Sequence, residues 1–133
     1  MMSEMEDRGL KTIRSFRDLQ VYQESFQLQL EIEEALKDYP QSEKYLLIDQ
    51  MKRASRSIPA LIAEGWALRD SVKESKNFLR RAYGSSCEMI NHLSLSQHKS
   101  YIRKEGYVEE LIKRYEILNM KITKLRNNWQ KFK

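Results

Sequence analysis

The chain has 133 residues, which is enough for one domain that buries roughly two thirds of its unfolded surface. With 41% hydrophobic residues, 4 Gly and 2 Pro, its composition is typical of a soluble helical protein, and no apolar run approaches the ~20 residues that span a bilayer. The polar, acidic N-terminus is not expected to be a signal peptide, and a single cysteine excludes an internal disulfide framework, so we expect a cytoplasmic protein with no membrane partner.

The net charge of +5 is distributed unevenly along the chain. Residues 1–50 carry 6 basic and 11 acidic side chains, whereas residues 51–133 carry 18 basic and 8 acidic ones. A basic excess in one part of a chain favours an anionic partner. A surface that only keeps the protein soluble is an equally good interpretation of the charge alone.

The first 14 residues show no hydrophobic periodicity and are predicted to be a flexible tail, followed by a helical domain over residues 15–133. Ser15, with Asp18 three residues later, is a start signal for helix 1. Two offset apolar stripes follow: Phe16, Leu19, Tyr22, Phe26 and Leu30 in the first, and Val21, Leu28, Ile32, Ala35 and Tyr39 in the second. Two stripes on one helix predict two buried faces, one for the core and one for another subunit.

Helix 2 is predicted to begin at its cap, Ser42, to end near Leu68 and to contain Pro59. Apolar residues continue at helical spacing on both sides of the proline, which predicts one helix kinked at Pro59 rather than two helices. The hydroxyls of Ser55 and Ser57 are expected to bond to backbone groups that the proline frees.

Helices 3 and 4 complete the predicted fold. Ser71 and Glu74 match a capping box at the start of helix 3, and the small residues 84–86 either admit a close neighbour or belong to an ordinary core. After a loop over Lys99 to Gly106, helix 4 shows an apolar seam of period 3.5 formed by Val108, Leu111, Tyr115, Leu118, Ile122, Leu125, Trp129 and Phe132. The pattern predicts an all-α, up-down-up-down four-helix bundle.

The sequence shows no pattern for catalysis or metal binding. Neither histidine has a glutamate three residues before it, which excludes the Glu-x-x-His pairs of di-metal bundles, and no phosphate-cradling glycine loop is present. Cys87 is expected to be a small core residue rather than a nucleophile. Glu64 and Glu88 are expected near core faces, either as a buried acid pair or in a network with partners such as Arg53. We therefore predict no catalytic residue, no metal ligand and no cofactor.

Basic residues recur at helical spacing in three places, before Pro59, along helix 3 and along helix 4. The helix 3 series forms one face if that helix begins near Arg69. Rows of this kind suit phosphate contacts, and a solvated surface is the alternative. The candidate nucleic-acid-binding residues are Arg69, Lys73, Lys76, Arg80, Arg81, Lys52, Arg53, Arg56, Lys121 and Lys124.

Three stretches resemble motifs of a known family. They are Ser15-Phe16-Arg17-Asp18-Leu19-Gln20-Val21-Tyr22-Gln23, the stretch from Gln50 to Gly65 with its Ser57-Ile58-Pro59 signature, and Tyr83-Gly84-Ser85-Ser86-Cys87-Glu88. Over about residues 15–130 the chain resembles the four-helix bundle proteins encoded in 23S ribosomal RNA intervening sequences. It is also similar to the accessory variability determinant proteins of diversity-generating retroelements.

This resemblance implies a homopentameric barrel of four-helix bundles. For the retroelement branch it also implies nucleic-acid binding and association with a reverse transcriptase. Arg69 matches an arginine that follows the family's Glu-Gly, whereas Leu61 stands where the family usually has Asn. We predict a non-enzymatic, oligomeric protein that binds nucleic acid, above all RNA, and an accessory subunit of a retroelement reverse transcriptase is one form of that function. The main alternative is a protein-interaction scaffold whose basic surface meets an acidic partner protein, and an enzyme with an unrecognised site is a third.

Overall fold

The computed structural model describes residues 13–129, and in that range the chain forms four α-helices, joined by turns and short 3-10 segments, with no strand. The helices are α1 Gln20–Ala35, α2 Leu47–Ala67, α3 Val72–His98 and α4 Tyr107–Asn127. Each helix packs on the next along the chain, and α4 also contacts α1. The predicted all-α, up-down-up-down four-helix bundle is confirmed. None of the described helices is long and apolar enough to cross a membrane.

The core follows the apolar periodicity of the sequence. The seam of α4 is buried at every described position, namely Val108, Leu111, Tyr115, Leu118, Ile122, Leu125 and Trp129. Phe132, the last residue of the predicted seam, lies outside the described residues. The ring of Trp129 meets the ring of Trp66 edge to face, 6.3 Å between centroids, which joins the C-terminal ends of α4 and α2.

The beginning of the bundle differs in detail from the prediction. Ser15 is a cap, because its hydroxyl accepts a hydrogen bond from the N–H of Arg17 and the carboxylate of Asp18 accepts one from the N–H of Ser15. It caps only a 3-10 turn over Phe16–Asp18, however, and the α-helix begins at Gln20. Of the predicted tail, residues 1–12 lie outside the described part of the chain, and Ile13 packs against the core.

The predicted cap of α2 is wrong. Ser42 lies in a 3-10 turn over Gln41–Glu43, and the helix begins five residues later, at Leu47. The reason is the backbone of Leu46, whose φ of −119° and ψ of −102° are not helical and separate the turn from the helix. A side-chain oxygen of Glu43 accepts the N–H of Leu47 at 3.3 Å instead.

Helix α2 runs without interruption through Pro59, so the prediction of one helix rather than two is confirmed. The kink itself stays a prediction. Ser57 donates to the carbonyl of Ala54 at 2.8 Å and Ser55 donates to that of Lys52 at 3.3 Å. Neither hydroxyl bonds to the carbonyl four residues before the proline, which belongs to Ser55, so the expected role of the two serines is wrong.

Hydrogen bonds and close packing hold α2 and α3 together at the turn between them. Ser71 caps α3 by accepting the N–H of Glu74 at 3.3 Å, as the sequence predicts. Ser75 donates to the carbonyl of Gly65 at 2.8 Å, and a Cβ on that glycine would lie 3.4 Å from Phe78. Gly84, by contrast, has nothing within 4 Å of a built Cβ, so it is open rather than close to a neighbour within this chain.

Candidate nucleic-acid interface

Charge differs between the two ends of the bundle. We define the basic end as residues 13–27, 60–83 and 118–129, and the mixed end as residues 28–59 and 84–117; the basic end contains the turn between α2 and α3. The basic end has ten basic and five acidic side chains, whereas the mixed end has ten basic and eleven acidic ones. The excess of positive charge in the sequence is therefore concentrated at one end of the fold.

Several predicted phosphate ligands are engaged in ion pairs. Arg56 binds Glu33 through two nitrogens, at 2.7 and 3.0 Å, and this guanidinium lowers the pKa of the Glu33 carboxyl. Arg53 pairs with Asp49 at 3.1 Å. In the cluster of Lys52, Arg53 and Arg56, only Lys52 makes no ion pair within residues 13–129. The cluster lies at the mixed end.

Of the two helix 4 candidates, Lys121 contacts α1. Lys121 is paired with Glu24 at 2.6 Å, and its side chain is only 19% exposed. Lys124, which is half-buried, follows three residues later on the same flank of α4. Lys121 therefore serves the contact between α4 and α1, whereas Lys124 makes no ion pair within residues 13–129.

Lys73, Lys76 and Arg80 form the best-placed set, which we call the α3 row. They lie three and four residues apart on α3, and within residues 13–129 none of them makes an ion pair. Lys73 and Arg80 are exposed and Lys76 is half-buried. The row is therefore a set of cations whose charges are available to a ligand.

Contacts between α3 and α4 show which way the row faces. Asn119 donates to the sulfur of Cys87 at 3.6 Å, and Cys87 follows Arg80 by seven residues, which is two helical turns. The row therefore lies on the flank of α3 that borders α4. The C-terminal part of α4 and the two residues after it, residues 118–129, contain no acidic residue. Arg126, seven residues after Asn119, lies on the same border; it belongs to the basic series of helix 4 in the sequence but is not among the candidate binding residues predicted from it.

Two other predicted binding residues, one expected within the helical face and one at its border, do not belong to this row. Since α3 begins at Val72 behind its Ser71 cap, Arg69 lies in the connecting turn, and the prediction that it continues the helical face is wrong. Its guanidinium stacks over the ring of Trp66 at 4.5 Å and donates to the Trp66 carbonyl at 3.1 Å. Arg81 lies on the opposite flank of α3, over the ring of Phe78 at 5.2 Å.

The flank that carries Arg81 forms a shallow groove with α2. Its lining includes Glu64 and Glu88, which are both exposed, so the expectation that they lie near core faces is wrong. Glu88 binds the buried ring of His92 at 3.0 Å. Cys87 is also exposed rather than a core residue, because the buried position on this turn is taken by its neighbour Ser86.

The mixed end has a denser polar network, centred on Glu31. Arg114 binds this carboxylate through two nitrogens at 2.8 and 2.9 Å, and the hydroxyl of Tyr107 donates to it at 2.9 Å. The hydrogen bonds from Arg114 lower the pKa of Glu31 to about 2. Burial, together with the bond to Glu31, raises the pKa of Tyr107 to about 12. The network ties α1 to α4.

The two stripes of the first helical segment separate into a core face and an outer face. Val21, Leu28 and Ile32 of the second stripe are buried, and so is Leu19 of the first, whereas Phe26 and Leu30 of the first are 42% and 47% exposed. The ring of Phe26 stacks on that of Tyr22, 5.9 Å between centroids, and Phe16 meets Tyr22 edge to face. The name α1 outer face is used below for Phe16, Tyr22, Phe26 and Leu30. Phe16 and Tyr22 also pack against the core, so the exposed apolar surface of this face is that of Phe26 and Leu30.

The acidic, histidine and cysteine side chains are dispersed over the bundle. Within the described range, no group of three of them is close enough to hold a metal ion.

Comparison with known proteins identifies one family. The sequence model of the family described as 23S rRNA-intervening sequence protein matches residues 17–124, which covers all four helices except the last turn of α4. A search of curated proteins finds no match.

Proposed function

Since the chain belongs to the family of 23S rRNA-intervening sequence proteins, we propose that it is a non-enzymatic, cytoplasmic protein that binds nucleic acid, above all RNA, through the basic end of its bundle. The observation that carries this proposal is the α3 row. Its three cations have no acidic partner in the described part of the chain, and the described C-terminal part of the neighbouring helix α4 contains no acidic residue.

The physical basis is phosphate contact without base recognition. Side chains three and four residues apart on a helix lie about 5–6 Å from each other at Cβ, so the α3 row can follow a phosphate backbone. Arg126 would add a cation from the neighbouring helix. Contacts of this kind displace counterions from the nucleic acid and weaken as the salt concentration rises. They do not distinguish one sequence from another, so RNA and DNA are both expected to bind.

The experiment compares two matched sets of substitutions. In the row variant, Lys73, Lys76 and Arg80 are changed to Gln. In the control variant, Lys99, Arg103 and Lys113 are changed to Gln, which removes the same charge from exposed positions at the mixed end. Fluorescence anisotropy with labelled RNA and DNA should show that affinity falls roughly tenfold or more for the row variant and by less for the control.

Equal decreases for the two variants would show that only net charge matters and would remove the row as a site. If neither RNA nor DNA bound the wild-type protein in a salt-dependent way, the basic end would instead serve an acidic partner protein. Circular dichroism and size exclusion are needed first, to establish that both variants keep the fold and the assembly.

We further propose that the protein is a homo-oligomer formed through the α1 outer face. A pentamer is the state that the family resemblance implies. In a closed ring the α3 row repeats around the assembly, so weak phosphate contacts add as avidity. Native mass spectrometry should show one closed species, and Phe26→Ser with Leu30→Ser should convert it to smaller ones. A monomer at all concentrations would contradict this proposal.

The association with a reverse transcriptase is a narrower form of the same function. It rests on the similarity to retroelement accessory proteins. Co-purification of the protein with a reverse transcriptase encoded beside it would support this form. If the row variant still bound the reverse transcriptase, the surface that contacts the enzyme would be distinct from the RNA interface.

A further inference from the structure

The α3 row is continued by an exposed aromatic ring. Tyr83 follows Arg80 by three residues and Lys76 by seven, so it lies on the same flank of α3, bordering α4. Its side chain is 42% exposed. The ring is therefore open to a ligand that contacts the row.

This combination of a ring and unpaired cations is specific to Tyr83 among residues 13–129. Two other aromatic side chains in that range are exposed, Phe26 and Tyr45. Phe26 stacks on Tyr22 in the α1 outer face. Tyr45 lies at the mixed end, where the ammonium of Lys44 approaches its ring at 5.4 Å. Neither ring continues a row of cations that lack ion pairs.

The two features bind different parts of a nucleic acid. Cations contact phosphates, which single strands and duplexes both present. An aromatic ring stacks on a base face, which a single strand can offer but a duplex keeps inside its own stack. A surface that has both features therefore binds a single strand through one more kind of contact than a duplex.

We propose that the α3 row selects single-stranded nucleic acid, with one base stacked on the ring of Tyr83 while neighbouring phosphates contact Lys76 and Arg80. This inference rests on the proposed function and adds the class of ligand. Stacking tolerates any base, so it introduces a preference for single strands without a preference for sequence.

The test measures the affinity for a single-stranded RNA of about 12 nucleotides and for a duplex RNA of the same length. Tyr83→Leu removes the ring and keeps an apolar side chain, whereas Tyr83→Phe keeps the ring. We expect Tyr83→Leu to weaken single-strand binding roughly tenfold, with duplex binding unchanged, because one base stack is removed. Tyr83→Phe should bind as the wild type does. Tyr45→Leu is the matched control, since it removes a more exposed ring, 81% exposed, at the mixed end and should change neither affinity.

Three outcomes would overturn the inference. If Tyr83→Leu bound the single strand as tightly as the wild type does, the ring would not touch the ligand. The proposed function would still stand in that case if the row variant no longer bound RNA. An equal decrease for single strand and duplex would assign the ring a structural role. If Tyr83→Leu changed the elution volume in size exclusion and Tyr83→Phe did not, the ring would belong to a contact between subunits. If the wild-type protein binds neither RNA, the proposed function itself fails, which this design distinguishes from failure of base stacking.

Discussion

The two ends of the bundle use their charged residues differently. At the mixed end, the half-buried carboxylates of Glu31 and Glu33 are each bound by an arginine from another helix. At the basic end, the cations of the α3 row have no such partner in the described part of the chain. Charges of the first kind stabilise contacts between helices. Unpaired like charges on one helix contribute no such stability, and the phosphate contact proposed above is the role that the experiments below test for them.

The contrast is not absolute, because the basic end contains the pair between Lys121 and Glu24. That pair lies on the flank of α4 that faces α1, away from the row. Whether a basic residue is paired therefore depends on which helix its flank faces as well as on its position along the bundle.

The largest expected effect comes from removing the arginine at the centre of the mixed-end network. Arg114→Met keeps an unbranched side chain but leaves the half-buried carboxylate of Glu31 without its main partner, which should cost about 2 kcal/mol of unfolding free energy. The matched change at the basic end, Arg80→Met, should cost less than about 0.5 kcal/mol, because Arg80 is exposed and makes no ion pair. Urea denaturation measures both. Equal costs would mean that the two ends do not differ in how charge supports the fold.

A smaller effect is expected from acid. The pKa of Glu31 is lowered from 4.5 to about 2 by its hydrogen bonds to Arg114, so its contribution to stability is complete above its ordinary pKa and is lost as pH falls toward 2. After allowance for solvent screening at this half-buried site, stability should fall by about 1 kcal/mol. The difference in unfolding free energy between the wild type and Arg114→Met should shrink over the same range. A difference that stayed constant from about pH 6 to pH 3 would contradict this account of the pair.

Much of the fold was predictable because it depends on local or periodic signals. The seam of α4 and the cap at Ser71 could be read from spacing alone, and both are as predicted. Ser42 does not cap α2, because the non-helical backbone of Leu46 makes the helix begin at Leu47. The residue type at position 46 gives no sign of that backbone conformation. For Cys87 the residue type predicts burial, because free cysteines are usually buried, whereas its position in the register of α3 leaves it exposed.

The candidate site was less predictable, because availability of a charge depends on contacts between distant residues. Arg114 and Glu31 are separated by 83 positions, and Arg56 and Glu33 by 23, so the sequence could not show that these arginines are engaged. Arg126 joins the candidate interface only once the hydrogen bond from Asn119 to Cys87 shows which flank of α4 borders the row. The spacing of Lys73, Lys76 and Arg80 was visible in the sequence, but their lack of partners was not.

The central claim, that the α3 row contacts phosphates, is tested most directly by the salt dependence of RNA binding. The slope of log affinity against log salt concentration is measured from about 50 to 200 mM for the wild type, the row variant and the control variant. The slope should decrease by roughly 0.7 to 0.9 for each phosphate that the protein no longer neutralises, hence by about 2 to 3 in the row variant, and stay close to the wild-type value in the control. An intact row variant with the wild-type slope would show that the row is an ordinary solvated surface.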